Sequence, residues 1–253
     1  SLIAPLTTKV MIYVMIRIVL FVYQPEFAFA EMDIDRFIVW LAVIAILAGS
    51  MLAWKQERLK RMLAYIIVAE VGYMVGGFWL GNTAGMTGAV LHILNDAMMT
   101  LCLFLAAGAV ISRVQADAFG ALQGVFTKMP FSMIAFVAGA LSIIGVPPTC
   151  GFFSKWYLIS GGMEAGHYAF VAALIISSLV NVLLFFRVIE IGYFEPFDSH
   201  HHKNGQTVRE APLDMLVPLL VTAGLLIVMG FYANTLVTWI VKPAISAATM
   251  GGL

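Results

Sequence analysis

Four ionisable residues stand inside stretches that are otherwise almost wholly apolar: Lys9, Glu70, Asp96 and Lys155. At the centre of a helix that crosses a bilayer, such a residue costs about 2.5–3.5 kcal/mol on insertion scales, so it is a functional candidate by default. Two are acids and two are bases, and their formal charges cancel, as in a partly paired interior network. The chemistry open to them is the passage of protons or of other cations. Low dielectric disfavours an ammonium ion, so an enclosed lysine can release and regain its proton as a neighbouring charge changes. That is relay chemistry, and it requires no cofactor.

Asp96 does not stand alone. His92, Asn95, Asp96 and Thr100 recur at i, i+3, i+4 and i+8, which makes one polar stripe on an apolar helix. A stripe of this kind must face other helices or water, never lipid. Lys155 follows closely on Gly145-Val146-Pro147-Pro148-Thr149-Cys150-Gly151. Prolines there remove helix hydrogen bonds, and irregular backbone at membrane depth survives only inside protein or beside a water-filled cavity. A helix broken at Pro147, Pro148 and Gly151 presents unpaired carbonyls at one end and N–H groups at the other, and such half-helix ends stabilise ions. The plainer alternative is a set of buried ion pairs that merely hold helices together. Desolvation can exceed the attraction in such pairs, and four charges beside a proline break favour the functional reading. Arg17, Arg187 and Glu190 lie towards helix ends, where long side chains reach the interface.

The elements that carry these residues follow from composition. The chain is 62% hydrophobic and 11% charged, with a mean hydropathy of +0.97; a soluble domain is about 45–50% apolar and about 25% charged. A bilayer core about 30 Å thick takes roughly 20 apolar residues per helix. Stretches of that kind run over residues 2–23, 34–54, 61–80, 87–111, 129–160 with an interruption, 168–191 and 214–241. The expected fold is therefore all-α: a polytopic transmembrane bundle of about seven spans, a single domain over 1–253, with one broken helix at Pro147-Pro148. The basic segment 55–61 and the cations Arg113, Lys128, Lys203 and Arg209 fall in alternate loops, while Glu26, Glu31, Asp33 and Glu164 fall in the others. The positive-inside rule then puts Ser1 in the cytoplasm, Leu253 outside, and residues 194–212 in a cytoplasmic polar loop. Trp54, Trp79 and Trp239 lie near span ends, as interfacial aromatics do.

Several functions are excluded or disfavoured. With Lys+Arg and Asp+Glu equal at 14 each, no net field attracts nucleic acid. Cys102 and Cys150 are too few for a disulfide framework or an iron–sulfur cluster, and no glycine-rich dinucleotide motif follows a strand. His200-His201-His202 lacks a spaced fourth ligand and reads as solvated loop, not a metal site. The first apolar stretch is too long for a signal peptide.

Four passages resemble the antiporter-like membrane subunits shared by respiratory complex I, Mrp-type cation/proton antiporters and membrane-bound hydrogenases. They are Ala4-Pro5-Leu6-Thr7-Thr8-Lys9 through Tyr13 and Arg17, and Leu59-Lys60-Arg61-Met62-Leu63-Ala64-Tyr65 with Val71-Gly72-Tyr73. The others are Leu91-His92-Ile93-Leu94-Asn95 through Gly108, and Ser142-Ile143-Ile144-Gly145-Val146-Pro147-Pro148 with Gly151-Phe152-Phe153-Ser154-Lys155-Trp156. The Pro-Pro and Ser-Lys-Trp wording leans towards the Mrp D-type branch. The resemblance implies a fourteen-helix subunit built from two inverted five-helix repeats, of which this chain is the C-terminal half containing the second repeat. The absence of an initiator methionine favours processing or truncation. It further implies an ion pathway through Lys9, Glu70, His92, Asp96 and Lys155 and no cofactor of its own. Partners would be other membrane subunits, including one supplying the first half-channel, then peripheral redox subunits and lipid, in a prokaryotic plasma membrane.

The departures are specific. His92, Asp96 and Thr100 stand where the family usually has His, His and Lys, and Glu70 stands where Gln, His or Ser is usual. The relay is thus more anionic than in the usual member, and one expectation is a carboxylate-lined cation site at Glu70 and Asp96 with Lys155 as a displaceable counter-ion. The leading reading is a proton- or cation-translocating subunit of a multi-subunit energy-converting complex, an enzyme only by membership of an oxidoreductase. The alternatives are a Mrp-type sodium/proton antiporter subunit, a membrane subunit of an inorganic-carbon uptake complex, and a scaffold subunit that conducts nothing.

Overall fold

Long apolar runs without strand-like alternation fold as helices, because in lipid every backbone polar group must be satisfied within its own segment. The computed structural model describes residues 3–23, 29, 34–195 and 209–245. Glu26, Glu31, Asp33, the three adjacent histidines and Lys203 lie outside the described residues. The helices are α1 (Ile3–Ile18), α2 (Asp35–Trp54), α3 (Leu59–Trp79), α4 (Thr83–Val114) and the short α5 (Val125–Lys128). They continue with α6 (Pro130–Ile144), α7 (Cys150–Glu164), α8 (Tyr168–Phe194), α9 (Leu213–Phe231) and the short α10 (Ala233–Leu236). π-Helical turns extend α1 over Val19–Tyr23 and α10 over Val237–Val241. Among the described residues six helices are long and apolar enough to cross a membrane, or up to seven when a bent pair is counted as one span.

The expected interruption is present. Helices α6 and α7 have 15 residues each, about 22 Å at 1.5 Å per residue, so neither crosses a core of about 30 Å alone. Gly145 ends α6 with φ +91°, a left-handed conformation that disfavours any side chain. Its N–H and that of Val146 both donate to the Leu141 carbonyl at 3.0 Å, the pattern of a glycine-closed helix end. The irregular stretch runs from Gly145 to Thr149, so Gly151, expected to belong to the break, lies inside the first turn of α7. Its role there is close approach: a Cβ on Gly151 would fall on the carbonyl oxygen of Ser142 in α6.

A second bend was not anticipated. The segment Phe119–Lys128 meets α6 at 115°. Met129 precedes Pro130 and adopts φ −130°, ψ 59°; proline denies its predecessor the helical region and opens the next helix at its first position. Helix α4 also exceeds its expected span, because Asn82 caps it early by accepting from Gly85 N–H at 2.7 Å. The Asn82 amide donates to the Gly161 carbonyl of α7 at 2.7 Å.

Helix α4 is the hub, packing against α1, α3, α6, α7 and α9. Helices α2 and α3 form a hairpin whose loop joins the α4–α5 connection through one antiparallel bridge, Leu59 N–H to Asp117 O at 2.8 Å and Phe119 N–H to Glu57 O at 2.9 Å. One interfacial expectation is corrected: Trp54 and Trp239 are exposed, but Trp79 is buried. Its ring packs on Phe29 at 5.4 Å and on Phe78 at 5.9 Å, so aromatic packing holds it inward.

Candidate functional site

Helix periodicity carries the polar residues to one interior. On α1, Lys9, Ile12 and Ile16 are buried while Leu6, Val10 and Met11 face outwards, so a stripe at three- and four-residue spacing docks α1 on the bundle. On α4, His92, Asn95, Asp96 and Thr100 are each no more than 1% exposed. Glu70 of α3 is fully buried and Lys155 of α7 is nearly so.

The five expected residues form two linked pairs and one separately held cation. Lys9 Nζ lies 2.6 Å from Asp96 Oδ2 and donates to Thr100 Oγ1 at 3.4 Å. His92 Nε2 lies 2.7 Å from Glu70 Oε2, and its Nδ1 lies 2.8 Å from Ser154 Oγ. Each imidazole nitrogen thus has its own partner, one on α3 and one on α7. Either the ring is doubly protonated and donates to both, or Ser154 donates to Nδ1 while Nε2–H donates to the carboxylate. Asp96 and Glu70 sit within electrostatic reach of one another.

Lys155 is held by the break itself. Its ammonium donates to the Ile143 carbonyl at 2.5 Å, the Ile144 carbonyl at 3.5 Å and Ser178 Oγ at 3.0 Å. The first two are carbonyls that α6 leaves without helical partners at its C-terminal end, where the helix dipole favours a cation. The ammonium also lies 5.0 Å from the centre of the Tyr73 ring, and Glu70 and Asp96 are within its electrostatic reach. Asn95 turns aside from the charges and donates to the Cys150 carbonyl at 2.8 Å.

Arg17 lies over the Phe21 ring at 4.5 Å and Arg187 over Phe119 at 5.1 Å, both exposed. Cys102 and Cys150 are free thiols, and among the described residues no group of three His, Cys, Asp or Glu could hold a metal ion. Sequence reasoning missed Ser154, Tyr73 and Ser178. Position alone could have flagged the first two, since Ser154 adjoins Lys155 and Tyr73 lies one turn after Glu70. Ser178 sits in an unbroken apolar helix and carried no such signal.

Residues 1–181 match the family model described as NADH:quinone oxidoreductase/Mrp antiporter, TM. The chain is 40% identical over 250 residues to an NADH-quinone oxidoreductase subunit N of Desulforudis audaxviator, covering 96% of this chain and 50% of that protein. It is 28% identical over 227 residues to a putative antiporter subunit mnhD2 of Staphylococcus aureus, covering 89% and 45%. Its backbone follows a chain of the Mrp complex from Dietzia sp. DQ12-45-1b with a TM-score of 0.81 over 95% of this chain and 51% of that one; at 23% identity this is a likeness of fold alone. The chain spans about half the length of the curated relatives it matches.

Proposed function

The chain belongs to the NADH:quinone oxidoreductase/Mrp antiporter transmembrane family, and on that premise we propose that it conducts protons along its buried polar axis as part of a multi-subunit energy-converting membrane complex. The observation that carries this is the seating of His92 between two partners, Glu70 at 2.7 Å and Ser154 at 2.8 Å. A proton that leaves Nε2 for the Glu70 carboxylate can be matched by one entering at Nδ1 from the Ser154 side, which moves charge one step without moving the ring. The Lys9–Asp96 pair stands on one side of this step and Lys155, which itself releases and regains a proton, on the other, so each proton position is biased by charges within reach.

In this reading the subunit carries no cofactor and performs no redox chemistry. Redox partners or an opposing ion gradient supply the energy, and neighbouring membrane subunits complete the path. The basic α2–α3 loop and the joined α4–α5 connection face the cytoplasm of a prokaryotic cell, following the positive-inside rule. The chain supplies one half-channel, the second inverted repeat of the antiporter-like fold, within a single transmembrane domain.

A second reading is a cation site at the carboxylates. Glu70 Oε1 and Asp96 Oδ1 are buried without a hydrogen-bond partner among the described residues, and buried acceptors of that kind call for a donor or a cation. The two readings part on ion dependence. The shared claim is tested by Asp96→Asn and Lys155→Met in membrane vesicles containing the whole complex, with ion uptake followed by a pH-sensitive dye. Loss of uptake with the complex still assembled is expected. Undiminished uptake in both variants would sink it and leave the scaffold alternative standing.

A further inference from the structure

Beyond the charged axis lies a run of buried hydroxyls that begins at Lys155. Ser178 Oγ accepts from the Lys155 ammonium at 3.0 Å, and that ammonium lies 5.0 Å from the centre of the Tyr73 ring, which brings Ser178 beside the phenol. The phenol donates to Ser177 Oγ at 2.6 Å, and Ser177 Oγ lies 2.6 Å from Ser50 Oγ. Ser50 in turn reaches the Ile46 carbonyl at 2.8 Å. Tyr73, Ser177 and Ser50 are each no more than 2% exposed. A hydroxyl both donates and accepts, so a line of them passes a proton by exchanging bonds along its length. A carbonyl or amide in the same place would stop it.

The run has a direction. Ser50 lies in the final turns of α2, next to the basic loop. Tyr73 points the same way, because helical side chains lean towards the N-terminus of their helix and α3 begins at that loop. One turn beyond Ser177 on α8 is Asn181, 1% exposed, whose Nδ2 has no hydrogen-bond partner among the described residues. A buried amide donor without a partner calls for a water molecule. Less than one further turn along α8, Leu184 lines a crevice of about 380 Å³ that also contains Trp54, Arg187 and Glu190. The polar groups therefore lead from Lys155 towards the surface at the α2–α3 loop, and the buried Leu184 stands between Asn181 and that crevice.

We propose that the hydroxyls of Ser178, Tyr73, Ser177 and Ser50, with a water molecule held by Asn181, form a proton branch connecting Lys155 to the membrane face that carries the α2–α3 loop. This rests on the reading of Lys155 as a proton carrier. The proton given up by the Lys155 ammonium passes to Ser178 as that hydroxyl releases its own to the phenol. Each later hydroxyl gains one proton and loses one; Ser50 turns its O–H from the Ile46 carbonyl to pass its proton to the water held by Asn181, which delivers it to the crevice. No bond other than O–H or N–H is made or broken.

The branch is tested in vesicles containing the whole complex by comparing Tyr73→Phe, Ser177→Ala, Ser177→Thr and Lys155→Met for proton uptake in light and heavy water. Thermal stability of the solubilised complex is measured alongside. Phenylalanine and alanine should slow uptake at least tenfold and raise the solvent isotope effect, while threonine, which restores the hydroxyl, stays within twofold of the parent. Unchanged uptake in Tyr73→Phe and Ser177→Ala, with Lys155→Met inactive, overturns the branch and leaves the main reading intact. Unchanged uptake in Lys155→Met overturns both. Slowing by alanine that threonine fails to rescue, in step with lost thermal stability, assigns the hydroxyls to helix packing and overturns the branch.

Discussion

Lys9 of α1 and Asp96 of α4 meet at 2.6 Å inside the bundle, with 5% and 0% of their side chains exposed. Burying both costs each its hydration, and the pair is worth its place only while both charges remain. Asp96→Asn alone leaves Lys9 facing Thr100 and a neutral amide. It should destabilise the subunit by about 3–5 kcal/mol, whereas adding Lys9→Met to it recovers most of that loss. Thermal unfolding of the solubilised complex, run as a double-mutant cycle, checks this; equal losses in the single and double variants would argue against the pair.

The contact between Gly151 and the Ser142 carbonyl predicts an effect one turn away. Gly151→Ala forces a methyl group against backbone, an overpacking that costs about 1–3 kcal/mol or more. Lys155 lies one turn further along α7, so the displacement pulls its ammonium from the Ile143 carbonyl. Proton uptake should fall more than complex assembly does, as read by uptake per assembled complex.

Glu210 caps α6 from outside the helix. Its carboxylate accepts from Phe131 N–H at 2.9 Å and from the Ser132 hydroxyl at 2.5 Å. Glu210→Ala removes both and should cost about 1 kcal/mol at the helix start. Hydrogen exchange at the Phe131 amide is then expected to speed up about fivefold, with the amides of α9 unaffected.

Ion identity separates the two functional readings. If His92 relays protons, replacing sodium by potassium in the vesicle medium leaves uptake unchanged. A carboxylate cation site at Glu70 and Asp96 would instead make uptake depend on sodium, and Glu70→Gln would weaken that dependence.

The charged residues announced themselves in the sequence because their surroundings are so uniformly apolar that one lysine or acid is a plain anomaly. The stripe from His92 to Thr100 was legible for the same reason, and so was the break at Pro147-Pro148. Pairing was not legible. Nothing in spacing says that Lys9 should choose Asp96 or that His92 should divide itself between Glu70 and Ser154, since those contacts depend on how separate helices cross. Serines in α8 were harder still: Ser177 and Ser178 cost little in an apolar helix, so they raise no signal until Tyr73 and Lys155 are seen beside them. The bend at Met129 follows from Pro130 once noticed, but its angle is set by what α5 packs against. Trp79 was misplaced because position near a span end was taken for exposure, while its ring lies against Phe29 and Phe78.

The capped start of α4 carries one more consequence. With 32 residues the helix is about 48 Å long, against a hydrocarbon layer of about 30 Å. Part of it must stand clear of the oil, and the end carrying Arg113 and Gln115 is the one suited to water. There the last turns of α4 stand at headgroup depth, steadied where the α2–α3 loop clasps the strand-like turn at Asp117, so the hub of the bundle is anchored at the interface as well as in the oil.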